Sequence, residues 1–173
     1  IFMPVTTPQQ KIQKTKMFGG TNIEVRLVGD YFDQTLSSAQ TFCTEEGAYF
    51  LSPFDDDNVI EGQASVAVEI EDQLSGVPDH IILPVGGGGL SAGTRAFFGD
   101  RCAYTYVEPS GAPSLGRALE EGAPIDVSPI NSFVDGAAVA KIGVRTFAKL
   151  KDAKRSDVVH LTEDRICVSI IEM

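Results

Sequence analysis

The chain has 173 residues and a net charge of −10, with 43% hydrophobic and 22% charged residues. That balance suits a soluble globular protein of one sizeable domain or two small ones, and the acidic charge argues against nucleic acid or an anionic membrane surface as a partner. No apolar stretch approaches a membrane span and no signal-peptide pattern precedes the first strand, so a cytoplasmic protein is expected. Cys43, Cys102 and Cys167 are odd in number and widely spaced. They fit reduced packing thiols better than a disulfide framework or a metal site.

Taken in order, Ile1–Val5 reads as a strand, followed by Thr7-Pro8, which can cap a helix over about 9–18. In that helix Ile12 and Met17 are expected inward, and Gly19-Gly20 ends it. A strand over 23–28 places Val25 and Leu27 on one face. Asp30 can cap a long helix over about 32–46, which Gly47 ends before a short strand Ala48–Leu51. Pro53-Phe54-Asp55 breaks the rhythm and marks a domain boundary. A helix over about 58–74 then presents Ile60, Ala64, Ala67, Val68 and Ile70 as its apolar stripe.

Strand 81–85 leads into Gly86-Gly87-Gly88-Gly89 and a helix carrying Leu90, Ala92, Ala96, Phe97 and Phe98. Strand 103–107, a helix near 114–121, a loop to Gly136, a helix near 140–150, strand 157–161 and a final helix complete the chain. The alternation of strands and helices predicts an α/β fold with parallel sheets and flanking helices. The apolar face of the last helix (Ile166, Val168, Ile170, Ile171) stops at Met173, and Ile1 already lies in a strand. Both ends suggest a fragment of something longer.

The four glycines between a strand and a helix are the principal candidate site. The following helix has free amides and a positive dipole end, which together suit a phosphate. A flexible turn between two buried elements is the alternative. No Lys-Ser or Lys-Thr follows, so the loop is not a P-loop. The spacing also misses the dinucleotide pattern, although Glu108 stands where a ribose-binding acid would. No Gly-x-Ser-x-Gly elbow is present, and His80 and His160 each stand alone beside a strand, suited to surface or strand-end roles. Asp55-Asp56-Asp57 could hold a hard cation, but such a run more commonly favours a helix N-terminus. Glu108 reads either as a cation ligand or as an ordinary solvated strand end. It shares a sheet rim with the glycine loop if their strands are near each other.

Pro84-Val85-Gly86-Gly87-Gly88-Gly89-Leu90-Ser91-Ala92-Gly93 resembles the phosphate loop of the fold-type II pyridoxal phosphate enzymes, in their threonine/serine dehydratase branch. Met3-Pro4, Thr7-Pro8, Phe18-Gly19-Gly20, Phe54-Asp55, Val59-Ile60-Glu61-Gly62-Gln63, Val107-Glu108-Pro109 and Asp135-Gly136-Ala137-Ala138-Val139 match further segments in order. The likeness covers essentially the whole chain and is nearest to the biosynthetic threonine dehydratases. It implies a tryptophan synthase β-like architecture, incomplete here, with residues 1–53 the remainder of a small domain and 54–173 part of a large cofactor-binding domain.

The resemblance further implies pyridoxal 5'-phosphate as cofactor, its phosphate held by the amides of Gly86, Gly87, Gly88, Gly89 and Leu90. The reaction implied is the dehydration and deamination of L-threonine to 2-oxobutanoate and ammonia, in isoleucine biosynthesis, with the cofactor ring as electron sink and its phosphate as a candidate acid for the leaving hydroxyl. A small amino acid is the implied substrate, in a homo-oligomeric parent protein.

Several family segments have no counterpart. The Ser-x-Lys-x-Arg-Gly segment with the lysine that bonds the cofactor is not found, nor is the Ser-Gly-Asn-His substrate loop. Lys11, Lys14, Lys16, Lys141, Lys149, Lys151 and Lys154 read as solvated helix faces and ends. No catalytic residue is therefore assigned, and the chain is expected to be inactive alone. In related racemases a carboxylate six residues after the Glu108 position helps bind a metal; Ser114 stands there, so no metal site is assigned. A serine dehydratase or racemase fragment and a non-catalytic phosphate-binding module are the alternatives.

Overall fold

In the computed structural model, which describes residues 1–173, Phe2–Met3 (β1) and Arg26–Leu27 (β2) pair in parallel. Their ladder continues beyond the paired residues, from the Arg26 amide to the Ile1 carbonyl and from the Val5 amide to the Gly29 carbonyl, each at 2.8 Å. Gln9–Gly19 (α1) and Phe32–Glu46 (α2) complete a compact unit over Ile1–Leu51.

Several local expectations change in this unit. Tyr31, rather than Asp30, holds the capping position of α2, and no side chain caps that helix. Pro8, rather than Thr7, occupies the capping position of α1. Ile12 is buried but Met17 is 68% exposed, so the inward stripe of α1 is a single residue. Leu27 is exposed as well, because a two-stranded sheet leaves part of its surface uncovered. The strand expected at Ala48–Leu51 does not form. The Ala48 amide turns back to the Cys43 carbonyl to finish α2, and a segment rich in β-formers needs a neighbouring strand before its own groups can pair.

The second unit spans Ser52–Met173. It contains Asp57–Leu74 (α3), His80–Pro84 (β3), Gly89–Phe98 (α4), Ala103–Pro109 (β4), Ser114–Glu121 (α5), Val144–Leu150 (α6), Val158–Leu161 (β5) and Glu163–Glu172 (α7). Strands β3, β4 and β5 form a parallel sheet in that order, with Pro84 opposite Val107 and Glu108 opposite His160. Period-two side-chain alternation puts Ile81 and Leu83 into the core and leaves His80, Ile82 and Pro84 outside.

The core is built from Ile60 and Ala67 of α3, Ala92 and Phe98 of α4, Tyr104 and Tyr106 of β4, Leu115 and Ala118 of α5, and Phe147 and Leu150 of α6. Helices α3 and α4 cross closely at Gly93. A Cβ there would lie 2.6 Å from the Ile60 carbonyl oxygen and 2.7 Å from the Ala64 amide nitrogen. The last helix of this group starts at Val144 rather than near residue 140, since Gly143 is extended and its successors are capped from elsewhere. Helix α7 leaves Val168, Ile170 and Ile171 exposed. No helix is long and apolar enough to cross a membrane.

Candidate cofactor-phosphate site

The parallel register places the glycine loop and Glu108 side by side at the carboxyl edge of the sheet. Strand β3 ends at Pro84, opposite Val107, and the Val85 amide donates to the Val107 carbonyl at 2.8 Å. The chain then turns through Gly86–Gly88 into α4. The shared rim anticipated from the alternation of elements is therefore direct adjacency. In an open α/β sheet this is the edge where ligands bind.

The amides of Gly86, Gly87, Gly88, Gly89 and Leu90 have no hydrogen-bond acceptor in the protein; the first amide of this stretch to find one is Ala92, which donates to the Gly88 carbonyl at 2.8 Å. Gly87, Gly88 and Gly89 are buried. The Ser91 hydroxyl, on a fully buried residue one position further on, is also without a partner. Buried donors left unpaired are costly, whereas a run of them at the start of a ten-residue helix suits an anion. A phosphate group fits this donor set.

The glycines are required by the protein's own packing as much as by a ligand. A Cβ on Gly87 would run into the Phe54 ring, and one on Gly86 would sit 3.2 Å from Ala137 Cα. Gly88 has φ of +90°, in the left-handed region, with Ile142 and Thr146 3.1 Å from where a Cβ would be.

The carbonyls of the loop, unlike its amides, are firmly held. Ser114 Oγ donates to the Gly86 carbonyl at 3.0 Å. Thr146 Oγ1 donates to the Gly87 carbonyl at 2.8 Å, and the Gly143 amide reaches the same oxygen at 3.3 Å. Both hydroxyl residues are completely buried.

Glu108 is not a solvated strand end. It is fully buried and caps α5, accepting from the Leu115 amide at 2.6 Å and the Gly116 amide at 2.9 Å. Ser114 Oγ is 3.3 Å from Oε1, the oxygen that also takes the Leu115 amide, and His160 Nε2 approaches Oε2 at 3.3 Å. Burial pushes the Glu108 carboxyl above the usual carboxylate range, while the amides and His160 act the other way. His160 thus has a buried partner rather than a surface role. His80 is exposed at the start of β3, 2.9 Å from Thr105 Oγ1.

The three aspartates divide their work. Asp56 caps its own helix, accepting from the Asn58 and Val59 amides, which matches the helix N-terminus reading. Asp55 instead caps α6, accepting from Val144, Arg145 and Thr146. Asp57 pairs with the Arg145 guanidinium. The unpartnered hydroxyl of Ser91 and the contacts of Ser114, Thr146 and Asp55 do not follow from the sequence reading. Ser91 was within reach, two residues past the glycine run; the others act across long separations that leave no local pattern.

Known proteins match this chain along its whole length. The chain is 41% identical over 179 residues to L-threonine dehydratase biosynthetic IlvA of Lactococcus lactis and 39% identical over 176 residues to that of Bacillus subtilis. In both cases the whole of this chain is covered, and it spans 43% and 42% of the relatives' length. The processed form of threonine deaminase isoform 2 from Solanum lycopersicum superposes with a TM-score of 0.84 at 37% identity, over 99% of this chain and 47% of that one. The parallel α/β architecture and the threonine dehydratase likeness expected from the sequence both hold. A profile of the pyridoxal-phosphate dependent enzymes matches residues 1–173, and the chain belongs to that family.

Proposed function

We propose that this chain supplies the phosphate-binding half of the cofactor site of a threonine dehydratase. The observation that carries the reading is the run of unpartnered amides from Gly86 to Leu90, beside the buried, unpartnered Ser91 hydroxyl. These groups would hold the phosphate of pyridoxal 5'-phosphate at the positive end of α4. When bound, that cofactor acts as an electron sink for bonds broken at the α-carbon of an amino acid. The overall reaction is the dehydration and deamination of L-threonine to 2-oxobutanoate and ammonia. On this reading residues 54–173 belong to the large cofactor-binding domain and 1–53 to the small one.

Residues 1–173 contain no Ser-x-Lys-x-Arg-Gly segment, so the chain alone anchors the phosphate without forming the covalent bond to the cofactor. The net charge of −10 and the relatives' metabolic role support an amino-acid substrate, a cytoplasmic setting and no nucleic-acid partner. The parent protein is read as a homo-oligomer.

Titrating the 15N-labelled chain with pyridoxal phosphate tests the site. Saturable shifts are expected at the amides of Gly86–Leu90, reproduced by inorganic phosphate; their absence removes the reading. Borohydride reduction and peptide mapping test the second part. A cofactor adduct on one specific lysine, with turnover of threonine, overturns the claim that the chain does no chemistry alone.

A further inference from the structure

The geometry points to Ser114 and Thr146 as positioning residues that aim the Gly87 and Gly88 amides at an anion, a role that rests on the phosphate-site reading above. Peptide planarity ties each loop carbonyl to the amide that follows it. In a trans peptide the carbonyl and the following N–H point in opposite directions, so holding the Gly86 carbonyl fixes the Gly87 amide, and holding the Gly87 carbonyl fixes the Gly88 amide. Ser114 Oγ holds the first at 3.0 Å and Thr146 Oγ1 the second at 2.8 Å.

Each hydroxyl has one proton and a second acceptor within reach. For Ser114 the alternative is Glu108 Oε1 at 3.3 Å, and for Thr146 it is the Gly143 carbonyl at 3.1 Å. In both cases the loop carbonyl is the nearer acceptor, so the proton goes to the loop. Both residues are fully buried, which keeps water from replacing either bond. Gly88 needs this support, because a residue with φ of +90° and no side chain has other backbone conformations open to it.

The two pins come from separate helices. Ser114 is the first residue of α5, whose N-terminal amides are tied by Glu108. Thr146 lies in the first turn of α6, whose amides are tied by Asp55. Each helix start is itself fixed by a carboxylate from another element, so the hydroxyls are rigidly placed. The loop is thereby oriented before any ligand arrives, which is how a preorganised anion site avoids a reorganisation cost on binding.

The test uses the 173-residue chain and three variants: Thr146→Val, Thr146→Ser and Ser114→Ala. Phosphate and pyridoxal phosphate affinities are measured by amide shifts, and Gly86 and Gly87 carbonyl 13C shifts are recorded without ligand. Thr146→Val and Ser114→Ala should each weaken binding by roughly tenfold, the lower end of what removing a hydrogen-bonded support of a metal ligand costs. Each should also move the carbonyl shift of its own glycine. Thr146→Ser keeps the donor and should retain wild-type affinity and shift, a rescue that a purely packing role would not give.

If the wild type binds and the Val and Ala variants bind equally well, the positioning role is overturned while the phosphate site stands. If the wild type binds neither ligand at the loop, the phosphate site itself falls, and the positioning role with it. Should the variants not fold, the wild type decides: exchange into D2O should produce a hydroxyl isotope shift on both glycine carbonyls, and its absence overturns the proposal.

Discussion

The carboxylate of Asp55 lies 2.6 Å from the amide of Arg145, 90 residues further along the chain. It also accepts from the Val144 amide at 3.0 Å, so a residue that precedes α3 serves as the cap of α6. The adjacent residue, Phe54, packs its ring against Gly87 and its Cβ close to Gly89. One short segment therefore braces both the glycine loop and the helix that holds it.

Replacing Asp55 by Ala should uncap α6. Loss of a helix cap costs about 0.5–2 kcal/mol, and here three amides lose one acceptor, which favours the upper part of that range. Urea denaturation of Asp55→Ala against Asp56→Ala, which uncaps α3 instead, checks the size. Amide exchange should accelerate in 144–146 for the first variant and in 58–59 for the second.

Gly87→Ala should destabilise the second unit, because the new methyl collides with the Phe54 ring. Trimming the ring removes the collision, so the double variant Phe54→Ala/Gly87→Ala should be more stable than the sum of the single changes predicts. A coupling of about 0.5–3 kcal/mol is typical of residues in contact. Strict additivity in a denaturation cycle would show that the loop yields instead of the ring.

Gly93→Ala tests the crossing of α3 and α4. Its methyl would meet backbone atoms of Ile60 and Ala64, which cannot rotate away as a side chain can. Helix propensity favours Ala over Gly by about 1 kcal/mol, yet overpacking costs about 1–3 kcal/mol. A net loss of stability is expected. A gain in Tm would mean that the helices separate at little cost.

Glu108 should give stability a pH dependence of definite sign. Burial raises its folded-state carboxyl above the ordinary value of 4.5. Its contribution is therefore fully present below that value and is lost as pH rises through the folded pKa. The Tm difference between wild type and Glu108→Gln should narrow from pH 4.5 toward neutrality, since every other carboxylate is common to both proteins. Wild type gaining on the variant over that range would mean that the Leu115 and Gly116 amides outweigh burial.

How much of this was legible beforehand depended on distance along the chain. The strand, glycine run and helix over 81–98 could be read because their signals lie within twenty residues and alternate in period. The same holds for Asp56, which caps the helix it precedes. Asp55 looks identical in sequence but serves α6, 90 residues along the chain, so no local rule separates it from its neighbour. Ser114 and Thr146 reach Gly86 and Gly87 across 28 and 59 residues, which only the folded chain brings together. Glu108 was readable as a strand end but not as a buried one, because its burial depends on α5 folding over it. Ala48–Leu51 failed for the opposite reason: its composition suits a strand, but pairing is a property of neighbours.

The bond from Thr146 to Gly87 also bears on the order of events during synthesis. A nascent chain emerging from the ribosome has β3, the glycines and α4 available well before residue 146 appears. Until then the Gly87 carbonyl lacks its pin, and the loop is free to sample other backbone states. Contacts closing a loop of this length form late, after the local elements they join. On the proposed reading, affinity for phosphate belongs to the second unit as a whole, and its appearance during translation would time the docking of α6.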